Sequence, residues 1–256
     1  MKIVVLAKEV PETGDKRSLS LESGLLERGQ SERIIDEISE RALENALKFR
    51  DDGGDAEITV LCMAPANPEA SIRKLLAMGA DSAVVIQDEA LAGADATRTA
   101  GALAAAIART GADLVIAGDA STDGRGGIVP SMVGELLGWP VLPGLDSLEI
   151  SAGQVIGTTR NDIETISLAA SMPAVTSITE RSAEARFPNF KGIMKAKKKP
   201  MDTVSLNELG DVYSGQARSV MVSAIQRPER KAGILLHDDG SAIQKLVDFL
   251  SDQKLV

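Results

Sequence analysis

The chain has 256 residues, with 28 Lys and Arg against 37 Asp and Glu, for a formal net charge of -9. Its one Cys and one His exclude a disulfide framework and a multi-cysteine zinc site, and argue against a Ser-His-Asp triad or a His-rich metal centre. Four Phe, one Trp and one Tyr are too few for a row of base-stacking platforms, and an acidic balance argues against nucleic-acid binding.

In chain order, Lys2 to Leu6 reads as a continuous apolar strand, as a sheet covered on both faces requires. The apolar run Ile3 to Ala7 is too short for a secretory signal, and no stretch reaches the ~18 apolar residues of a membrane span; a soluble cytoplasmic protein is expected. Ile38, Ala42, Leu43, Ala46 and Leu47 share one helical face, with Asp36 placed to cap it. Ile58 to Cys62 is a second strand, followed by Ala64-Pro65-Ala66-Asn67-Pro68 and a helix through Ile72, Leu75 and Leu76 that stops at Gly79. Ser82 to Ile86 is a third strand, Asp95 opens an Ala-rich helix to about Arg109, and Leu114 to Ala117 is a fourth strand. A glycine-rich segment then leads to a helix from about Ile128 to Leu137.

This alternation predicts an α/β fold with a doubly wound, mostly parallel sheet. Leu145 to Thr159 and Glu164 to Ala169 read as an antiparallel extension with a turn at Ala152-Gly153, and Pro173 to Ile178 as another buried strand. From about Thr203 the pattern becomes irregular, with helical periodicity only over Ala242 to Leu250. Such a tail cannot build its own core, so it reads as a flexible end or an arm on another chain.

Two segments carry chemistry. Gly118-Asp119-Ala120-Ser121-Thr122-Asp123-Gly124-Arg125-Gly126-Gly127 follows a strand and precedes a helix, where phosphates bind in parallel sheets. It is neither a Walker A loop nor a GxGxxG fingerprint, and a plain strand-to-helix connection is the alternative reading. The second segment, Arg186 to Lys199, has six positive and no negative charges, leaving the rest of the chain near -15. It also holds two of the four Phe, so it reads either as a solvated face or as an exposed docking element that steers an acidic partner. Cys62 and Trp139 read as packing residues, and His237 is assigned no role.

The stretches Lys2-Ile3-Val4-Val5-Leu6-Ala7-Lys8-Glu9-Val10-Pro11, Leu76-Ala77-Met78-Gly79-Ala80-Asp81, Gly118 to Gly127 and Phe190 to Lys199 together resemble the beta subunit of electron-transfer flavoproteins over nearly the whole chain. The run Ile193-Met194-Lys195-Ala196-Lys197-Lys198-Lys199 is the most specific of them. The resemblance implies a nucleotide-binding α/β domain over 1–200, with a docking loop at 186–199, and a C-terminal arm over 201–256 that wraps an alpha subunit. It implies a heterodimeric electron carrier without catalytic residues or metal of its own, binding a structural AMP while FAD is held mainly by alpha. Electrons would pass from acyl-CoA dehydrogenases and similar flavoenzymes to a quinone reductase at the membrane.

Carried over residue by residue, the resemblance implies a nucleotide site of Leu6, Asp36, Glu37, Ile38, Ser39 and Met63, with Gly118, Asp119, Ala120, Ser121, Thr122, Asp123, Gly124, Arg125, Gly126, Gly127, Ile128 and Val129. Backbone N–H groups of Gly126 to Val129 would meet phosphate, helped by Ser121, Thr122 or Arg125. Phe190 would be the apolar docking anchor, with Lys191, Ile193, Met194 and Lys195 around it. Two alternatives remain at this stage: a stand-alone adenine-nucleotide sensor of the universal-stress-protein type, or an electron-bifurcating subunit with its own FAD.

Overall fold

In the computed structural model, which describes residues 1–64, 68–151, 153–210, 221–230 and 232–256, the first apolar run is β1 (Lys2–Ala7), a central strand. Pro65 to Asn67 of the expected post-strand loop, and Ala152 of the expected turn, lie outside the described residues. A short antiparallel pair, β2 (Glu9–Pro11) and β3 (Arg33–Ile35), follows and encloses a long excursion. Then come α1 (Glu37–Asp51), β4 (Glu57–Met63), α2 (Glu69–Met78), β5 (Ser82–Ile86), α3 (Ala96–Thr110), β6 (Leu114–Gly118) and α4 (Val129–Leu137). The second half has β7 (Val141–Leu145), β8 (Ser147–Ser151), β9 (Gln154–Arg160), β10 (Thr165–Ser171), β11 (Ala174–Ile178), α5 (Phe190–Ala196), β12 (Met201–Val204), α6 (Leu206–Leu209) and α7 (Ala242–Asp252).

The main sheet has seven strands in the order β12-β5-β4-β1-β6-β11-β7, every pair parallel. Period-two alternation explains the unbroken apolar runs. Ile3, Val5 and Ala7 enter the core under α1 and α2, while Val4 and Leu6 enter the core under α3 and α4. Cys62 is buried in the first of these cores, and burial pushes its thiol up to about 12, so it packs as a small apolar group. β8, β9 and β10 form the separate antiparallel extension.

The strand order reverses at β1, which pairs with β4 on one side and β6 on the other. Ligands bind beyond the carboxyl ends of strands at such a switch point. Two connections meet there: the chain from Lys8 to Asp36 after β1, and the chain from Asp119 to Ile128 after β6.

The structure departs from the sequence reading in three places. Leu145 ends a strand of the parallel sheet instead of opening the antiparallel piece. The chain around Thr203 is ordered: β12 adds to the edge beside β5, and α6 follows behind a capping box at Ser205 and Glu208. Four residues are too few to show a period, so this strand is defined by its pairing partner. Finally, Asp36 stands at the cap position of α1 but makes no side-chain cap hydrogen bond. Among the described residues, no helix is long and apolar enough to cross a membrane.

Candidate functional site

The loop after β6 is built for close backbone approach. Gly118 lies under α1: a Cβ there would sit 2.5 Å from Ile38 Cγ2, so only glycine lets the helix cover the strand end. Arg125 (φ 50°) and Gly127 (φ 64°) both take left-handed backbone, and Ile128 is right-handed just before α4. Alternation of this kind turns successive N–H groups into a concave anion-binding nest. Among the described residues, the N–H groups of Gly126, Gly127, Ile128 and Val129 have no acceptor, and Gly124 to Ile128 are exposed. The macrodipole of α4 places partial positive charge at the same point.

The first half of the loop is held by cations from the other connection. Lys8 Nζ donates to Ser121 Oγ (3.1 Å) and pairs with Asp123 Oδ1 (2.6 Å), while Arg28 Nη2 pairs with Asp123 Oδ2 (3.1 Å). Arg17 donates to the carbonyl and the hydroxyl of Thr122. Burial alone would raise the Asp123 carboxyl, whose side chain is 2 % exposed; the Lys8 hydrogen bond and charge, Ser121 and Arg28 together outweigh it and hold the group at about 2. Asp119 moves the other way. Its burial raises the carboxyl above the usual range, the Ala120 N–H opposes this, and the charges of Glu180 and Asp146 add to it.

Asp36 is wholly buried and turned toward this loop. Its Oδ2 accepts the Thr122 N–H (2.7 Å) and hydroxyl (3.1 Å), while its Oδ1 is buried without a hydrogen-bond partner among the described residues. A buried carboxylate oxygen lacking a donor carries a desolvation penalty that a ligand hydroxyl would relieve. A ribose supplies such a hydroxyl, and the nest supplies N–H groups for phosphate, so these residues fit a nucleotide.

Of the residues named from sequence, Ile38 packs over Gly118, Ser39 accepts the Lys8 N–H at 3.2 Å, and Leu6 and Met63 lie near the carboxyl ends of β1 and β4. Glu37 is exposed and takes no part in these contacts. Lys8, Arg17 and Arg28 were not anticipated. Lys8 could have been found as the first charge after a buried strand; Arg17 and Arg28 could not, since they sit in an excursion without periodicity, 105 and 95 residues from their partners.

The second candidate segment is helical, and it is pinned. Arg186 pairs with Glu44 through Nε and Nη2 (both 2.8 Å) and with Asp51 (2.7 Å), fastening the approach to α1. Asn189 caps α5 by accepting the Gly192 N–H at 2.8 Å. Lys199 Nζ donates to Leu76 O (3.0 Å) and Ala80 O (2.5 Å) at the end of α2, and burial pushes its ammonium below the usual lysine range, against the opposing charge of Asp81. Two of the six positive charges are therefore structural. Lys191, Lys195, Lys197 and Lys198 have no partner among the described residues. Beside them Phe190 is 79 % exposed, with Ile193 and Met194 also exposed.

A mostly parallel seven-stranded sheet covered by helices, with a glycine-rich loop at its switch point, defines a doubly wound α/β class of fold. The electron transfer flavoprotein domain matches residues 24–209. The electron transfer flavoprotein subunit beta of Mycobacterium bovis is 40% identical, over 99% of this chain and 99% of its own. That of Syntrophomonas wolfei is 31% identical over 93% of this chain and 91% of its own. A caffeyl-CoA reductase-Etf complex subunit, CarD of Acetobacterium woodii, is 29% identical over 82% of this chain and 80% of its own. The chain belongs to the electron transfer flavoprotein family, among its beta subunits. These matches favour neither the universal-stress-type sensor nor a separate bifurcating reading.

Proposed function

We propose that this chain is the beta half of a cytoplasmic heterodimeric carrier, which takes electrons from acyl-CoA dehydrogenases and similar flavoenzymes and delivers them to a quinone reductase at the membrane. The observation that carries the reading is Phe190: a large apolar side chain, 79 % exposed, on a pinned helix and flanked by Lys191 and Lys195, which have no partner among the described residues. An apolar anchor ringed by charge is the composition of a docking hot spot with electrostatic steering.

In this reading the redox FAD sits mainly in the alpha subunit and supplies the electron-carrying chemistry. This chain holds AMP at the switch point: Asp36 accepts a ribose hydroxyl and the N–H groups of Gly126 to Val129 receive phosphate. The arm expected over 201–256 reaches alpha through its last part. α7 buries none of its side chains, and Ile243, Leu246, Val247 and Phe249 are exposed along it. An amphipathic helix with an uncovered apolar face suits a partner chain.

The test is co-expression with an alpha subunit, followed by cofactor release and electron-transfer kinetics with an acyl-CoA dehydrogenase. One FAD and one AMP per heterodimer are expected, with Phe190→Ala slowing electron acceptance and leaving both cofactors in place. Two FAD per heterodimer with NADH oxidation would replace the simple carrier by a bifurcating one. Unchanged kinetics for Phe190→Ala would remove the docking assignment.

A further inference from the structure

The docking helix is too short to stand alone. Helices below roughly 12 residues are marginal in water, and α5 has seven. Its conformation therefore comes from what it rests on, and the contacts identify the support. At its N-terminal half Gly192 lies directly on α2: a Cβ there would be 2.3 Å from Ala77 O, so the backbones touch without a side chain between them. At its C-terminal end the orphan carbonyls of a helix must find donors. Backbone N–H groups of Lys198 and Lys199 reach Lys195 O and Ala196 O, and Arg73, on α2, adds the side-chain donor, with Nη1 donating to Ala196 O at 2.8 Å and, just beyond the helix, to Lys199 O at 2.9 Å. Lys199 returns the contact by donating to Leu76 O and Ala80 O. Each helix end is thus capped by a cation from the other segment.

We infer that Arg73 is a positioning residue for docking: by holding the last carbonyl of α5 and the Lys199 carbonyl just beyond it, it fixes the direction in which Phe190 and the lysines without a partner among the described residues are presented. The inference rests on the docking role of Phe190 proposed above. Among the described residues, Arg73 is the only side chain that donates to these carbonyls. It acts from beneath, through backbone, with its own side chain largely covered. A guanidinium suits the task because Nη1 reaches both carbonyls while Nε and Nη2 stay on Glu69, a division of donors that a single ammonium makes less well. Holding α5 in its bound geometry lowers the ordering cost of association, so the effect of Arg73 falls on encounter affinity and leaves the transfer step alone.

The experiment uses the co-expressed heterodimer and, as probe, an acyl-CoA dehydrogenase reduced by its acyl-CoA. Half-saturating heterodimer concentration, maximal rate and amide exchange at Ile193 to Lys199 are measured for wild type, Arg73→Ala, Arg73→Lys and Phe190→Ala. Arg73→Ala is expected to raise half-saturation about tenfold, the scale of one charge-assisted hydrogen bond, and to speed exchange, with maximal rate and flavin content unchanged. Arg73→Lys restores part of both. Gly192→Ala, which alters no charge, reproduces both shifts and serves if Arg73→Ala fails to assemble. Fast exchange with unchanged half-saturation overturns the inference, as does unchanged exchange. If Phe190→Ala raises half-saturation and the Arg73 and Gly192 variants do not, the inference alone fails; if Phe190→Ala has no effect, the docking reading itself fails.

Discussion

Thr122 donates its backbone N–H at 2.7 Å and its hydroxyl at 3.1 Å to one and the same oxygen of Asp36, 86 residues earlier. The pair ties the start of α1 to the loop after β6 and leaves the second carboxylate oxygen buried and without a partner among the described residues. Removing the carboxylate strands a covered N–H and hydroxyl, whose desolvation costs about 1–3 kcal/mol. Asp36→Ala should therefore lower the melting temperature and, at the nucleotide site proposed above, abolish retention of AMP. Asp36→Asn should keep most of the stability, because its amide oxygen can still accept from Thr122, yet it turns an NH2 toward the ligand where an acceptor is needed. Mass analysis of nucleotide released from each purified variant separates the two effects. Full nucleotide content in Asp36→Asn would exclude a hydroxyl contact at Oδ1.

Asp123 gives the site an acid limit. The fold holds this carboxyl at about 2, below its ordinary 3.8, so its contribution is complete above about pH 4 and is lost as pH falls toward 2. Allowing for the solvent exposure of Lys8, the contribution is on the order of 1–2 kcal/mol. Asp119 has the opposite sign: its carboxyl is raised in the fold, so protonating it on acidification adds stability and offsets part of that loss. Asp123→Asn should be less stable than wild type near neutrality, with the gap narrowing below about pH 4 and closing toward pH 2. Urea unfolding across that range measures the gap. A constant gap would mean that the Lys8 and Arg28 pairs contribute nothing through charge.

The sheet was legible because every central strand is covered on both faces and therefore reads as an unbroken apolar run, from Val4 and Val5 in β1 to Val175 in β11. The loop from Gly118 to Val129 was legible by position, since strand ends and helix starts are where backbone N–H groups stand free. What was not legible came from contacts between distant residues. Asp36 looked like a helix cap, because Asp before an apolar helical face ordinarily caps; the Thr122 N–H competes for the same oxygen, and nothing near Asp36 in sequence reveals it. The six charges between Arg186 and Lys199 looked uniformly free, and only the positions of Glu44, Asp51 and the end of α2 show that Arg186 and Lys199 are structural.

The contact between Gly118 and Ile38 makes a prediction about packing. A methyl at Gly118 would meet Ile38 Cγ2 at 2.5 Å and Cγ1 at 2.7 Å, far inside van der Waals contact. Gly118→Ala should destabilise the protein by about 1–3 kcal/mol through this overpacking. Trimming the neighbour restores the space, so Gly118→Ala combined with Ile38→Ala should be less destabilised than the sum of the single variants by about 1 kcal/mol. Chemical denaturation of the four proteins closes the cycle. Strict additivity would mean that α1 shifts away as a body and that the glycine is not needed for close approach.

The division of charge between Arg186 and Lys199 predicts two kinds of lysine for the docking role proposed above. Lys191 and Lys195 have no partner among the described residues, whereas Lys199 donates to two carbonyls at the end of α2. Charges that only steer act over about a Debye length, ~8 Å at physiological ionic strength, and change the association rate without changing the fold. Lys191→Gln and Lys195→Gln should each slow association with a dehydrogenase at low salt and flatten its dependence on ionic strength, while leaving the unfolding midpoint in place. Lys199→Gln should do the reverse in part. It uncaps α2 and lowers the midpoint, and it acts on docking mainly by loosening α5, so the dissociation rate rises more than the association rate falls. Stopped-flow traces over a series of salt concentrations distinguish the classes. Equal salt slopes for all three variants would mean that Lys199 also faces the partner and that its contacts with α2 do not set its role.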